Sequence, residues 1–458
     1  MGSALSPEED GLLQRALRAA SDTKFLMVEG GARHTTARLF QSAFGESPAV
    51  IVADNRTYAA AGAEVRESLC RAGIPCGEPF LFPDEVYAEH TYVEMLQSSL
   101  SPAQGIPVAV GSGTINDLTK LVAHRLGRQY MAVATAASMD GYTAYGASIT
   151  YRGSKQTFDC PAPLAVLADL EVVVRAPREM NAAGYADLLA KGVAGADWIL
   201  ADAALEESIQ PAVWSTVQDR LPSWVDSPSA IARAEPEGLR RLTVGLMMTG
   251  FAMQAMRSSR PASGADHQFS HLWDMQHHTY HGTAPSHGFK VGVGTRASLE
   301  LYNVLLRQNL NQLSIDDIVA RWPAFPEIES RIAALFGRGE LADKALEETR
   351  AKHPTPIALR AQLLRLRDVW PELRERLASH LQSFQEARTM LEAAGSPAEP
   401  EQIGISRQRL RQSYEQAYYI RRRFTVLDLA MRLKMFESSM NELFGTGGIW
   451  AMEGEAAC

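Results

Sequence analysis

The sequence predicts an α/β domain over residues 1–177 followed by an all-helical domain over 178–458. Two observations carry this reading. Up to about residue 175, short β-branched apolar runs alternate with helical patterns, as in a parallel sheet covered on both faces. After Pro177 the texture turns to Ala, Leu, Arg, Glu and Met with helical periodicity and few β-branched runs. The 458 residues, 46% hydrophobic and 21% charged, hold enough apolar material for a large core. A disordered chain and a small disulfide-stapled scaffold are excluded.

The elements follow in order. FLMVEGGA (25–32) reads as strand then turn, and AVIVADNRTY (49–58) as a strand entering a polar turn before a helix. PVAVGSGTINDLTKLVAHRLG (107–127) reads as strand, Gly-rich turn and helix, and YMAVATAAS (130–138) as a buried strand. Residues 144–162 alternate like a hairpin, and PLAVLADLEVVV (163–174) reads as one more strand region. Beyond it, 242–256 is a fifteen-residue apolar stretch, too short to span a bilayer and suited to a buried helix. SPAEPEQIG, near 396, is a loop, and the chain shows no internal repeat.

Lys and Arg number 45 against 53 Asp and Glu, a net charge of −8. Such a chain lacks the positive field of a nucleic-acid binder, though a local basic pocket for a small anion is compatible with it. Cys70, Cys76, Cys160 and Cys458 have no zinc-knuckle or CxxC spacing, so reduced thiols in a cytoplasmic protein are expected. No signal peptide is visible, and Met1-Gly2 with Ser6 fits the myristoylation pattern only formally.

Several segments can carry chemistry. In GSGTINDLTK (111–120), Gly111 and Gly113 let the backbone approach a ligand, and a helix start there suits a pyrophosphate. The competing reading is an ordinary turn with Asn116 or Asp117 capping the helix. Asp54, ending AVIVAD, either accepts from ribose hydroxyls, favouring a cofactor without a 2′-phosphate, or opens a turn. Six of the 11 His lie at 267, 271, 277, 278, 281 and 287. His267, His271, Asp274 and His278 share one side of a predicted helix, which suits a metal or a proton-transfer role. A divalent ion on two imidazoles calls for a carboxylate, and GYADLLAKGVAGADW offers Asp187 and Asp197. Lys191, four residues after Asp187, is the alternative partner for that acid. Asp140 in SMDG is a further acid after a strand, or a turn residue before Gly141. Arg257 and Arg260 precede the His cluster and could neutralise a phosphate, while Arg421, Arg422 and Arg423 read as a solvated helix face.

These pieces, in order, resemble the sn-glycerol-1-phosphate dehydrogenases, bacterial branch, of the iron-containing alcohol dehydrogenase and dehydroquinate synthase superfamily. The resembling segments are GSGTINDLTK, ATAASMDG, KQTFDCPAPLAVLADL, GYADLLAKGVAGADW, SRPASGADHQFSH, SHGFKVGVGT and FTVLDLA; residues 310–420 carry no such motif. The resemblance implies a Rossmann-like α/β domain and an all-α metal-binding domain, dehydroquinate synthase-like. It implies that Gly113, Thr114, Ile115, Asn116 and Asp117 hold the NAD(P) phosphates, with Gly111 opening the turn. It further implies cofactor contact at Thr135, Ala136, Ala137 and Ser138, a substrate role for Asp140 and His271, and metal ligation by Asp187, His267 and His287, with Asp187 also touching substrate. His281-Gly282 rivals His287-Gly288 as the ligand pair. The serine expected shortly after Asp140 is Thr143 or Ala144 here.

The activity so implied is metal-dependent reduction of dihydroxyacetone phosphate, or a close phosphorylated ketone, to sn-glycerol 1-phosphate. NAD(H) or NADP(H) and one zinc, nickel or iron ion are the expected cofactors, and Arg260 and Lys290 are expected to meet the phosphate. The alternatives are a sugar-phosphate cyclase of the dehydroquinate synthase type, a polyol or glycerol dehydrogenase, and a non-catalytic nucleotide- and metal-binding protein. Expected partners are the small substrate and a second copy in a homodimer, with no nucleic acid and no membrane insertion.

Overall fold

The computed structural model describes residues 5–83, 85–102, 104–151 and 154–452. Six parallel strands form one sheet in the order β1-β8-β5-β4-β2-β3. They are β1 (Phe25–Glu29), β2 (Ala49–Asp54), β3 (Phe80–Phe82), β4 (Ile106–Gly111), β5 (Met131–Ala134) and β8 (Ala165–Asp169). Along β2, Ala49, Ile51 and Ala53 pack on one face while Val50 and Val52 pack on the other. Burial of both faces is why these strands are continuous apolar runs rather than alternating ones. The chain leaves β2 outward to β3, then returns to β4 on the other side of β2. The order therefore reverses between β2 and β4, and ligands of open parallel sheets settle at the strand ends of such a switch.

The predicted hairpin is present as β6 (Ala147–Tyr151) and β7 (Ser154–Phe158). The run 163–174 is not one strand. It splits at Asp169, whose buried carboxylate accepts from Gly31 N at 3.0 Å, Arg33 N at 3.0 Å and Glu171 N at 2.9 Å. This capping starts the helix Leu170–Arg175 despite its valines. β3, three residues long, carried no sequence signal.

From Leu170 onward the regular elements among the described residues are helices. The stretch 242–256 lies inside the largely buried helix Pro236–Met256. Among the described residues no helix is long and apolar enough to cross a membrane. Cys70, Cys76 and Cys160 are free thiols; Cys458 and Met1-Gly2 lie outside the described residues.

One apolar cluster joins the sheet to the helices, running from Val28, Ala134 and Val166 to Tyr185, Leu246 and Met247. Two glycines allow the closest approaches between elements here, one of helix to sheet turn and one of helix to helix. A Cβ on Gly184 would overlap the Ala137 carbonyl oxygen, and one on Gly288 would overlap that of Ala183. Both obstacles are backbone and cannot swing aside. We expect Gly184→Ala to cost about 3 kcal/mol of stability, measured by urea unfolding, because the helix would have to move off the β5 turn. An unchanged midpoint would show that this contact is not tight.

Candidate active site

A cavity of about 360 Å³ lies between the strand ends of the sheet and the helices. At one end β4 stops at Gly111 and the helix Gly113–Arg125 begins. Ser112 is its N-cap yet makes no side-chain cap hydrogen bond, so the first-turn N–H groups have no side-chain partner there. Ser112, Gly113, Thr114, Asp117 and Ser138 line this end. The positive end of a helix facing a cavity is suited to a phosphate.

The other residues predicted for this end shape its turns from behind. Ile115 is buried in the apolar cluster beneath, and Gly111 packs directly on it. The Asn116 amide accepts from Tyr130 Oη at 3.1 Å and donates to Gly141 O at 3.2 Å. Thr135 N donates to Gly111 O, Ala136 O accepts from Tyr142 Oη, and Ala137 N donates to Asn181 Oδ1 at 3.0 Å. Asp117 lines the cavity but also ties down the hairpin, accepting from Ser148 N at 3.1 Å. Asp54 ends β2 and accepts from Thr57 N at 2.8 Å, the turn-capping role that stood as the alternative.

At the other end three helices meet. Asp187 sits on Arg178–Leu189, and His267 and His271 sit one turn apart on Ala265–Met275. His287 is the first residue of His287–Leu306, where the Ser286 hydroxyl accepts from Phe289 N as the N-cap. Gly288 presses this helix start against Ala183 and so brings His287 beside Asp187. Ligand atoms of Asp187, His267 and His287 all lie within 4.8 Å of one another. One carboxylate and two imidazoles form a donor set suited to a divalent first-row ion. His267 Nδ1 faces Asp266 Oδ2 at 3.2 Å, and His287 Nδ1 lies 3.3 Å from Ser270 Oγ. Such outer contacts orient ligating imidazoles. The His271 ring is 6.3 Å from the rings of both other histidines.

Lys191 is also part of this end, as the alternative partner of Asp187. Its Nζ lies 2.6 Å from Asp187 Oδ1 and 2.7 Å from Asp140 Oδ2, with no exposure of the lysine side chain. Asp140 N donates to Asp187 Oδ2 at 3.2 Å. Burial pushes the Asp187 carboxyl up, but Lys191 and the imidazoles outweigh it and hold its pKa below the usual range. Burial pushes Asp140 up, and the neighbouring Asp187 adds to the rise. Burial presses His287 down to about 3 and His271 well below the usual imidazole value, aided at His271 by Arg421. His271 is therefore a neutral ring. Burial opposes a charge on His267, but Asp266 and Asp187 raise its pKa.

Several expectations are corrected. The predicted four-residue stripe breaks because the helix ends at Met275 and His277 takes a positive φ. Asp274 pairs with Lys290, and His278 bonds Ile403 O and Arg409. Lys290 is thus committed and does not line the cavity. Arg260 is fully buried, donating to Phe424 O and Asp197 O and pairing with Glu207. It is a strut between helices rather than a phosphate ligand. Asp197 accepts from Tyr302 Oη, Ala265 N and Val426 N, so its burial is explained without a metal. His281 is exposed on Tyr280, away from the cavity. Thr143 donates to Met247 O at 2.7 Å, leaving Ala144 to line the cavity.

The basic run is not a helix face. It lies between the helices Arg407–Tyr419 and Val426–Arg432. Arg422 grips Glu348 outside, while Arg421 lines the cavity with Lys155. Sequence reasoning missed Lys155, Asp266 and Arg421. The available signals were KQTF, the acid preceding His267, and the position of Arg421 just before FTVLDLA.

The sequence matches the family model of iron-containing alcohol dehydrogenases over residues 27–177. It is 32% identical over 382 residues to a glycerol-1-phosphate dehydrogenase [NAD(P)+] of Geobacillus stearothermophilus, covering 82% of this chain and 85% of that one. The chain belongs to the glycerol-1-phosphate dehydrogenase family. A relative of the same name in Halalkalibacterium halodurans is 36% identical over 263 residues, 57% of this chain and 66% of its own. Membership makes the protein an oxidoreductase of the alcohol dehydrogenase type that takes a nucleotide cofactor and a metal. Among solved structures, the glycerol dehydrogenase of Schizosaccharomyces pombe aligns with a TM-score of 0.58 at 15% identity, covering 92% of this chain and 91% of that one. A likeness at that identity establishes the fold.

Two predictions arise from this end of the molecule. Replacing Lys191 by Met strands two adjacent buried carboxylates and should cost about 3–5 kcal/mol in urea unfolding. A loss below about 1 kcal/mol would mean the acids do not depend on it. Burial pushes Glu348 up, but Arg422 and Lys344 outweigh it and hold it at about 2 against an ordinary 4.5. A depressed folded pKa contributes stability above 4.5 that fades as pH falls towards 2. Glu348→Gln should therefore flatten the acid limb of a stability–pH profile in that window.

Proposed function

We propose that the protein reduces dihydroxyacetone phosphate to sn-glycerol 1-phosphate at the expense of NADH or NADPH. The observation that carries this reading is the convergence of buried Asp187 with His267 and His287, two imidazoles that line a cavity running to the uncapped start of the Gly113–Arg125 helix. The names borne by the relatives support the substrate. A zinc, nickel or iron ion held by these three residues would act as a Lewis acid on the substrate carbonyl. The nicotinamide would supply the hydride.

The protein's own groups do the rest. The first turn of the Gly113–Arg125 helix, with Thr114 and Ser138, binds the cofactor phosphates, and Asp54 at the β2 end suits a ribose hydroxyl. Asp140, held by Lys191, orients a substrate hydroxyl. His271, kept neutral by burial, donates a hydrogen bond from its N–H to the substrate oxygen as negative charge develops there, and solvent water supplies the proton that completes the alcohol. A homodimer and a cytoplasmic location belong to the same reading.

The test is oxidation of NADH and NADPH by the metal-stripped protein, with zinc, nickel or iron restored, against dihydroxyacetone phosphate, dihydroxyacetone and glycerol. Metal-dependent turnover of the phosphorylated ketone is expected. Preference for an unphosphorylated polyol, or sugar-phosphate conversion without net NADH loss, would replace the proposal. His267→Ala should lose the bound metal and about 1,000-fold in rate while still binding NADH. Full metal content and rate in that variant would overturn the ligand assignment.

A further inference from the structure

We propose that Arg421 and Lys155 form the subsite for the substrate's phosphate, with Ser259 and Ser263 positioning Arg421. The inference rests on the phosphorylated-ketone reading and names residues that reading left without a role, since Arg260 and Lys290 are committed elsewhere.

Arg421 and Lys155 are the only Lys or Arg side chains among the described residues that line the cavity. They come from separate segments, one from the turn before Val426–Arg432 and the other from β7, which lies against the His267 helix. No carboxylate among the described residues lies within 4.0 Å of either cation. This contrasts with Lys191, Lys290 and Arg260, each of which is paired with an acid.

Arg421 donates to Ser259 Oγ at 3.1 Å and to Ser263 Oγ at 3.4 Å. Both serines also line the cavity. Two of the guanidinium's five donors are thus occupied by neutral hydroxyls, which aim the group without neutralising it. Arg423 fastens the same loop from behind through Ser263 O at 2.6 Å and Ser259 Oγ at 3.0 Å. Arg422 clamps the turn to Glu348 at 2.9 Å. Of three consecutive arginines, two brace the turn and one is presented to the cavity.

Both cations reach His271 electrostatically and add to the depression of its basicity. The subsite shares its cavity with the ring assigned to the substrate oxygen. In dihydroxyacetone phosphate, phosphorus is three bonds from the carbonyl carbon, which suits a carbonyl at the Asp187–His267–His287 end with its phosphate between the cations. Two unpaired cations match a phosphate dianion in charge, and a guanidinium matches it in geometry.

The test measures kcat/KM for dihydroxyacetone phosphate relative to unphosphorylated dihydroxyacetone in the metal-loaded enzyme. Arg421→Ala should lower this preference by about 50-fold and Lys155→Ala by about 10-fold, mostly through KM, with Arg421→Lys recovering part of the loss. Equal losses on both ketones would overturn the subsite and leave Arg421 a structural role. If the wild type reduces no phosphorylated ketone, the functional reading fails, and the subsite is decided by calorimetry. Inorganic phosphate titrated into the NADH-loaded protein should bind, and binding should vanish in Arg421→Ala. Equal binding by both proteins, or none by the wild type, would overturn it.

Discussion

Lys191 holds Asp187 and Asp140 together with no exposure of its own side chain, and the backbone of Asp140 closes the arrangement onto Asp187. Two carboxylates this close cannot both stay ionised in an apolar interior without a cation between them. With the lysine in place, one acid faces the imidazoles and the other faces the cavity. The arrangement also joins the two halves of the molecule, since Asp140 follows β5 while Asp187 and Lys191 belong to the helices. The relative position of nucleotide end and metal end is thus maintained by a charge cluster as well as by the apolar cluster around Tyr185 and Leu246.

The glycines of the helical half act through space rather than through backbone freedom. Gly184 and Gly288 lie in helices, where they lower intrinsic helix propensity. They are tolerated because each removes a side chain where a neighbouring carbonyl passes. The first sets the helix of Asp187 against the turn after β5; the second sets His287 beside Asp187. The distances inside the donor set follow from these two contacts.

The legible part of the site was the part written as local pattern. Gly111 and Gly113 mark a strand–turn–helix unit because that turn needs small residues wherever it occurs. The histidines crowd into a short segment, so they drew attention before their partners were visible. Their division of labour was not legible. His267 and His271 face the cavity, whereas His278 and Asp274 turn to Arg409 and Lys290. The departure of His278 depends on the helix ending at Met275, and helix ends are weakly encoded when no glycine or proline marks them. Arg260 and Arg421 show the same limit. The sequence suggests a phosphate contact at Arg260 and a solvated helix face at Arg421, but the first is buried against carbonyls and the second opens into the cavity.

By itself the sequence determined an α/β region followed by helices, the β4 turn and its helix, and the resemblance that paired Asp187 with two distant histidines. These depend on periodicity, residue size and order along the chain. Tertiary structure alone decided that Lys191 joins two acids, that Lys290 and Arg260 are already paired, and that Lys155 and Arg421 line one cavity. The physical reason is that a charged side chain takes its role from the partners that reach it. In this fold such partners arrive from segments far along the chain, as Val426 does at Asp197 from 229 residues away.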